Sequence, residues 1–449
     1  MDGMVDFNDL VNAEIAGSER PRTFGQFAAA LLGRMRTQIT LGLIAAILAP
    51  AALYWSVSGQ PFHQSIQLQN TLVGSFFAFG LGYYAFRKVT GFPGVRAATN
   101  VFPAFVASYS AIALFLFALR IDYNRLVILS SFLITVATLY TVFALARWAT
   151  RPQLTLAKVG NYTALARLKP VRWLLLEAPD VSKLRGPLVV DLRAVLTPEW
   201  EKFIADCALE GRLVFSAKEV TESITGRVSV QHLSENSFGT LTPNTIYGAA
   251  KRHMDALAAF LVLLATAPVF LAVAIWIRAD SRGPAVFRQK RMGFRGRVFT
   301  CYKFRTMYVN SSAPAPGDGK DDVRDKAVTK SNDPRITRAG RILRKTRLDE
   351  LPQLFNVLMG QMSWIGPRPE AKVLSDWYEQ EIPFYRYRHV VRPGITGWAQ
   401  VCQGHVASIE DVQKKLEFDF YYAKHFSVWL DILVALKTVG VMFSGRGAK

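Results

Sequence analysis

Asp349 and Glu350 are adjacent carboxylates set just before Pro352. Proline is favoured in the first turn of a helix, where its missing N–H costs nothing, so the pair is predicted at a helix N-terminus. Unpaired N–H groups and the positive dipole end favour an ionised carboxylate there and attract phosphate. A carboxylate kept charged beside a phosphate is a candidate nucleophile or Mg²⁺ ligand. Taken alone, such residues read as an ordinary cap. Their surroundings argue for more. Arg335, Arg338, Arg341, Arg344 and Arg347 place a cation at every third residue upstream, and Pro367-Arg368-Pro369 holds a guanidinium between two residues of restricted backbone. Arginine's planar fork matches phosphate oxygens, so this density beside two carboxylates points to polyphosphate.

At about 100° per residue a three-residue spacing winds backward around a helix, so the five arginines do not converge on one anion. Ile336, Ala339, Ile342 and Leu343 fall on the opposite face, giving an amphipathic basic helix on lipid or core. Arg344 and Arg347, nearest the carboxylates, are the expected substrate contacts. Upstream, Ala285 to Met292 and Arg297 to Met307 read as two strands around a Gly293-Phe-Arg-Gly296 turn. The two-residue period places Arg297, Phe299, Cys301, Lys303 and Arg305 on one face, which would aim Lys303 and Arg305 at one phosphate. Downstream, Arg392-Pro-Gly-Ile-Thr-Gly-Trp398 joins a cation to two glycines that let backbone approach a ligand.

The strings KFRTM (Lys303 to Met307), RKTRLDELPQLFNVLMGQMSWIGPRPE (Arg344 to Glu370) and RPGITGWAQV (Arg392 to Val401) resemble the bacterial polyprenyl-phosphate sugar-1-phosphate transferases, the monotopic phosphoglycosyl transferases. The likeness covers roughly residues 251 to 449, and the helices upstream resemble the large exopolysaccharide-type members. It implies transfer of a sugar 1-phosphate from a UDP-sugar to polyprenyl phosphate with release of UMP, Mg²⁺ as cofactor, and a covalent aspartyl intermediate on Asp349. Lys303, Arg305, Arg344, Arg347, Arg368 and Arg392 are then the expected substrate-binding cations, with Asp349 and Glu350 as metal ligands. Glu350 stands open as metal ligand or proton-handling group. A one-step displacement with Asp349 only binding metal, and a non-catalytic membrane scaffold or sensor, are the competing readings. Glucose or galactose 1-phosphate is the family-level expectation for the transferred group.

The composition fits a membrane setting. Apolar residues make up 51% and charged residues 20% of 449, with a formal net charge of +20. Basic clusters beside apolar helices suit anionic headgroups and substrates, and no nucleic-acid reader motif is visible. Cys207, Cys301 and Cys402 are odd in number and scattered, pointing to a reducing compartment.

In order, residues 1–38 read as a cytosolic tail, acidic and then basic. Residues 39–147 read as four transmembrane helices, about 39–57, 66–86, 101–119 and 126–146, each near the length that crosses hydrocarbon. Arg34, Arg36, Arg87, Lys88, Arg147 and Arg151 flank them, which by the positive-inside rule places both ends of the block on the cytoplasmic side, and the resemblance implies that the membrane is the bacterial inner membrane. Residues 148–250 read as a small cytosolic α/β, Rossmann-like domain with a parallel sheet. Its expected elements are strands 171–177, 186–190 and 212–216 and helix 198–209, without a G-x-G-x-x-G. Residues 251–449 form the expected α+β catalytic domain. Its hydrophobic run 254–277 is expected to break at Pro268 and re-enter one leaflet, because a full span would strand the basic segment after Arg278 outside. Where the resembled family often has a serine before this proline, Ala267 stands here, with Thr266 as the substitute.

Residues 308–332 read as a long Ser/Pro/Gly-rich loop near the nucleotide. Residues 408–425 read as a helix capped by Ser408, with Phe418, Phe420, Tyr421 and Tyr422 packing, and 426–443 as a helix lying in the interface. His389, His405 and His425 show no metal-ligand spacing. The fold expected is thus a multi-domain membrane protein whose partners are UDP-sugar, polyprenyl phosphate and inner-membrane lipids. Oligomeric state is open, a homodimer included.

Overall fold

A computed structural model describes residues 31–32, 34–59, 65–90, 97–149, 153–168, 171–229, 243–309, 333–403 and 409–444. The expected tail through residue 30, the loop over 310–332, His405 and Ser408 lie outside them. The chain divides into two compact units, Met1–Gly226 and Arg227–Lys449.

The first unit opens with four helices, α1 (Met35–Ser58), α2 (Ile66–Thr90), α3 (Ala97–Ala118) and α4 (Arg125–Ala149). They pack around Phe79, Tyr83, Phe86, Phe105 and Leu139. A π-turn over Ile44–Leu48 interrupts α1 just before Pro50. Pro50 has no N–H for the Ala46 carbonyl, and the Ser131 hydroxyl of α4 supplies that bond at 2.6 Å. By length and composition α1, α3 and α4 can cross a membrane. α2 does not meet that measure, because Gln67, Gln69 and Asn70 open it and Arg87 and Lys88 close it.

The rest of this unit is a parallel four-stranded sheet, order β2-β1-β3-β4, from β1 (Gln153–Ala157), β2 (Arg172–Leu176), β3 (Leu188–Val190) and β4 (Val214–Ser216). The short helix α5 (Tyr162–Ala166) follows β1, while α6 (Pro198–Leu209) and α7 (Ala217–Thr225) flank β4 in sequence. Leu154, Leu156 and Val220 pack on one face, and Leu176, Leu188, Trp200 and Phe203 on the other. Three strands and α6 stand where the sequence places them. The central strand β1 was not among those expected: its five residues follow α4 after only a short link, and its buried Thr155 breaks the apolar run.

The second unit is built on one long helix, α8 (Thr245–Asp280), capped by the Asn244 side chain, which accepts from Tyr247 N at 3.0 Å. The expected boundary at residue 250 therefore falls inside a helix. So does the expected break, for α8 is continuous with Pro268 inside it. Pro268 cancels only the bond to the Leu264 carbonyl, and Thr266 Oγ1 donates to Val262 O at 2.6 Å beside it. Lys251, Asp255, Ala259, Val273 and Ile277 are buried at helical spacing along one side. Met254, Leu257, Leu261, Leu264, Leu271 and Ile275 are exposed on the other. The helix is thus buried towards both ends and largely exposed between Ala259 and Val273, and by length and composition it too can cross a membrane.

Strands β5 (Val286–Met292) and β6 (Val298–Phe304) pair antiparallel around a turn in which Arg295 and Gly296 have φ 56° and 72°. Then come α9 (Arg338–Thr346), a 3₁₀ turn (Leu348–Glu350), α10 (Gln353–Leu358), β7 (Ser363–Ile365), α11 (Lys372–Glu381), β8 (Gly394–Thr396), α12 (Trp398–Cys402), α13 (Ile409–Lys424) and α14 (Val428–Ser444). Ala339 and Leu343 of α9 are buried, whereas Ile342, read from sequence on the same apolar face, is half exposed. Phe420, Tyr421 and Tyr422 are core, and Asp431 of α14 is buried against Lys251 at 2.7 Å.

The glycines of the Arg392–Trp398 stretch have a different task from the one expected. A Cβ at Gly394 would sit 2.1 Å from Gly366 N, and one at Gly397 2.2 Å from Gly366 O. They allow β8 to lie backbone against backbone beside its parallel partner β7 and Gly366.

Candidate active site

Helix α9 ends at Arg347, whose φ of 61° turns the chain sharply into the Leu348–Glu350 turn. That reversal points both carboxylates inward, Asp349 9% and Glu350 8% exposed. Pro352 follows as the N-cap of α10, as the sequence suggests, but α10 has only six residues. A helix so short contributes little dipole, and the charges at this site are set by side chains.

Glu350 Oε1 is the hub. It accepts from Arg368 at 3.0 Å and Lys303 at 3.3 Å, and Arg347 lies 3.9 Å away. Burial pushes this carboxyl up, yet Arg368 and Lys303 more than offset it and hold it at about 2. A carboxyl so acidic carries no exchangeable proton near neutrality, which leaves it a permanent counter-ion. Burial, and then the like charge of Arg368, bring Lys303 down to about 8, with Glu350 opposing.

Asp349 is the opposite case. Its Oδ1 is buried and has no hydrogen-bond partner among the described residues. Burial raises its pKa, with Lys303 opposing and the Glu350 charge adding to the rise. Two neighbouring carboxylates therefore sit in different states, one saturated with cations and one with an oxygen to spare. Among the described residues no group of three or more His, Cys, Asp or Glu could cage a metal ion. A lone carboxylate oxygen beside a cluster of cations is nonetheless a donor that fits Mg²⁺, which commonly takes one or two carboxylates and fills its remaining positions with water and substrate phosphate.

The elements that fix this arrangement are explicit. Asn356 of α10 is fully buried, donating to Thr300 O and Gln361 Oε1, each at 2.7 Å, and accepting from Tyr302 N at 3.0 Å. It locks α10 to β6 and so sets Asp349 against Lys303. Gly340 of α9 lies so close to Thr306 that a Cβ would meet its carbonyl oxygen at 2.1 Å. Pro367 and Pro369 bracket Arg368, and the carbonyls of 367 to 370 each accept a bond: from Gly394 N, Arg388, Arg291 and Met292 N in turn. Arg388, 3% exposed, also pairs with Asp419 at 2.8 Å, and Glu370 pairs with Lys415. Sequence reasoning passed over Asn356, Arg388 and Arg291. For Arg388 the only signal was the second of two cations alternating with aromatics in Tyr385-Arg-Tyr-Arg388, and for Asn356 an amide between Phe355 and Val357.

Of the expected cations, Lys303, Arg347 and Arg368 gather at Glu350. Arg344 stands nearby, its Nε donating to Thr306 Oγ1 at 2.9 Å and its charge acting on Asp349. Arg305 does not join them. Strand β6 ends at Phe304, and the Arg305 guanidinium turns to the carbonyls of Arg282 at 2.6 Å and Ser281 at 2.7 Å. There it caps the C-terminal end of α8, whose orphan carbonyls attract a cation. Arg392 is also elsewhere, on Gly360 O at 3.3 Å and over the Phe294 ring at 4.9 Å.

The family model described as "Bacterial sugar transferase" matches residues 246–445. A UDP-N-acetylgalactosamine-undecaprenyl-phosphate N-acetylgalactosaminephosphotransferase of Aeromonas hydrophila is 40% identical over 411 residues, 91% of this chain and 95% of its own. The UDP-glucose:undecaprenyl-phosphate glucose-1-phosphate transferase of Escherichia coli K12 is 42% identical over 202 residues, 44% of this chain and 41% of its own. An exopolysaccharide production protein of Rhizobium leguminosarum bv. phaseoli is 40% identical over 194 residues, 42% of this chain and 92% of its own.

Proposed function

The chain belongs to the bacterial sugar transferases, a sugar phosphotransferase acting on undecaprenyl phosphate, and from that premise we propose that it moves a sugar 1-phosphate from a UDP-sugar to that lipid through an acyl phosphate on Asp349. The observation that carries this reading is the unpartnered, buried Oδ1 of Asp349 beside Lys303 and Arg368. An Asp349 oxygen attacks the sugar-side phosphorus, the phosphoanhydride bond breaks, and UMP leaves with the bridging oxygen. A lipid phosphate oxygen then attacks the same phosphorus and breaks the acyl-phosphate bond. The products are the lipid diphosphate sugar and a restored Asp349 carboxylate. Lys303 and Arg368, held rigid by Glu350, neutralise the charge that develops on the phosphoryl oxygens. Arg347 and Arg344 line the approach. Mg²⁺ would be held by Asp349, and when bound it adds charge neutralisation at the same oxygens.

In this reading α8 dips into one leaflet of the inner membrane, its exposed apolar face in lipid and its packed face against the catalytic unit on the cytoplasmic side. A lipid-borne phosphate then meets a cytosolic nucleotide sugar at one surface. The first donor to test is UDP-N-acetylgalactosamine, since the relative named for it aligns along 91% of the chain. Purified protein incubated with the donor and Mg²⁺ but no lipid should release UMP stoichiometrically, and Asp349→Asn should release none. Release that requires lipid would favour the one-step displacement. Release from no donor in a panel of UDP-sugars would return the scaffold reading.

A further inference from the structure

Away from the Asp349 cluster, the second unit carries a half-open cavity of about 460 Å³ whose lining includes Arg252, Arg295, Arg392, Asp255, Phe294 and Phe426. Neither Asp349, Glu350, Lys303 nor Arg368 lines it. Its one carboxylate is already engaged: Asp255 accepts from Ser363 Oγ at 2.6 Å and lies 3.5 Å from Lys251. Lys251, also in the lining, is satisfied in turn by Asp431 at 2.7 Å.

The three arginines are in a different position. Arg252 donates to the carbonyls of Val357 at 3.1 Å and Leu358 at 3.4 Å, and Arg392 to Gly360 O at 3.3 Å. Arg295 and Arg392 lie over the Phe294 ring, at 5.0 and 4.9 Å from its centroid. These partners are all uncharged. Burial, and then the like charge of Arg252, depress the Arg392 guanidinium; Arg295 adds to the effect and Asp255 opposes it. The first turn of the 36-residue α8 faces the same space through Asn244, Thr245 and Gly248. Its positive dipole end adds to the three guanidiniums.

We propose that Arg252, Arg295 and Arg392 form a second anion site, taking the phosphate of a ligand whose apolar part rests against Phe294 and Phe426. Three guanidiniums lining one cavity, whose single carboxylate is already engaged by Ser363 and Lys251, match a phosphate oxygen set, as several forked donors do. The phosphate can arrive on a lipid head or as a soluble phosphate. The site lies at the C-terminal end of α10, roughly 9 Å of helix from the turn that carries Asp349. A bound anion would compete for the two arginines that cap that end.

The test is calorimetric titration of the full chain in non-ionic detergent with hexadecyl phosphate and, separately, with inorganic phosphate. Turnover is not read, so the outcome is independent of the Asp349 chemistry. Arg295→Gln is the primary variant, because Arg295 is exposed and its contact with Phe294 is local. Saturable binding should weaken about tenfold in Arg295→Gln and further in Arg295→Gln/Arg392→Gln, and persist in Arg368→Gln. Binding of both probes assigns the site to phosphate itself, and binding of the alkyl phosphate alone assigns it to a lipid head. The proposal is overturned by absence of saturable binding for both probes. It is equally overturned by unchanged affinity in a folded Arg295→Gln, or by loss in Arg368→Gln without loss in Arg295→Gln.

Discussion

Replacing each of the adjacent carboxylates by its amide should separate their roles. Glu350 Oε1 lies 3.0 Å from Arg368 and 3.3 Å from Lys303. At an effective dielectric of about 20, each contact is worth about 5 kcal/mol gross, and desolvation of the carboxylate offsets much of that. Glu350→Gln keeps the shape but leaves buried cations facing one another, a change expected to cost about 3–5 kcal/mol. At roughly 2–4 °C per kcal/mol for a unit of this size, the unfolding midpoint should fall by about 6–20 °C. Lys303, already lowered to about 8 with Glu350 opposing, falls further once that charge is removed and can relieve the repulsion by losing its proton, so the loss should shrink as pH rises towards 8. Asp349→Asn removes a charge that burial already disfavours and breaks no bond to Oδ1. Its midpoint should stay within about 4 °C of wild type, the range of a substitution of under about 1 kcal/mol. Both variants should lose UMP release. Tryptophan fluorescence of the full chain in detergent, followed with temperature, reads the difference. Equal destabilisation by the two amides would refute the division into structural counter-ion and free carboxylate.

Two further outcomes follow from the packing. Gly340→Ala would drive a Cβ against the Thr306 carbonyl, where only backbone movement can make room; a loss of about 1–3 kcal/mol in the same melt is expected, with lowered activity, since Thr306 also holds Arg344. His389 is 7% exposed, and burial, then Arg388, holds it at about 3 against the usual 6.5. The unfolded chain takes up that proton first, so stability is complete above about 6.5 and declines as pH falls towards 3. From pH 7.5 to 5.5 the loss from this one residue is about 1.4 kcal/mol. His389→Phe should therefore reduce the acid-induced drop in midpoint, and an unchanged drop would show that His389 titrates normally.

What could be read in the sequence depended on whether the deciding partner was local. Helix 198–209, the β5–β6 hairpin and the carboxylate turn are set by neighbours in the chain: a proline at a helix start, glycines at a turn, a two-residue period. Lys303, Arg347 and Arg368 came together as expected because strong motifs flank them. Arg305 shows where local reasoning stops. Its alternation with Lys303 is real, but strand β6 ends one residue earlier, and the carbonyls that claim it belong to residues 281 and 282 on another element. The glycines of 394 and 397 misled for the same reason, since the backbone they make room for is Gly366.

The buried charges behind the site were illegible by the same logic, and their arrangement explains why so many are needed. Arg368 donates to Glu350 at 3.0 Å, with two further arginines, Arg291 and Arg388, packed beside its backbone. Those two donate to the carbonyls of residues 369 and 368 and fix the peptide planes on which Arg368 rides. Arg388 has Asp419 as its counter-ion at 2.8 Å, with Glu370, tied to Lys415, 3.8 Å away, whereas Arg291 is held by the neutral oxygens of Gln289 and Pro369. The outcome is a layered alternation of charge, carboxylates behind arginines behind a proline-bracketed turn. In it Glu350 belongs to the support, and Asp349 is the carboxylate whose Oδ1 is left unengaged, facing the cations it must work beside.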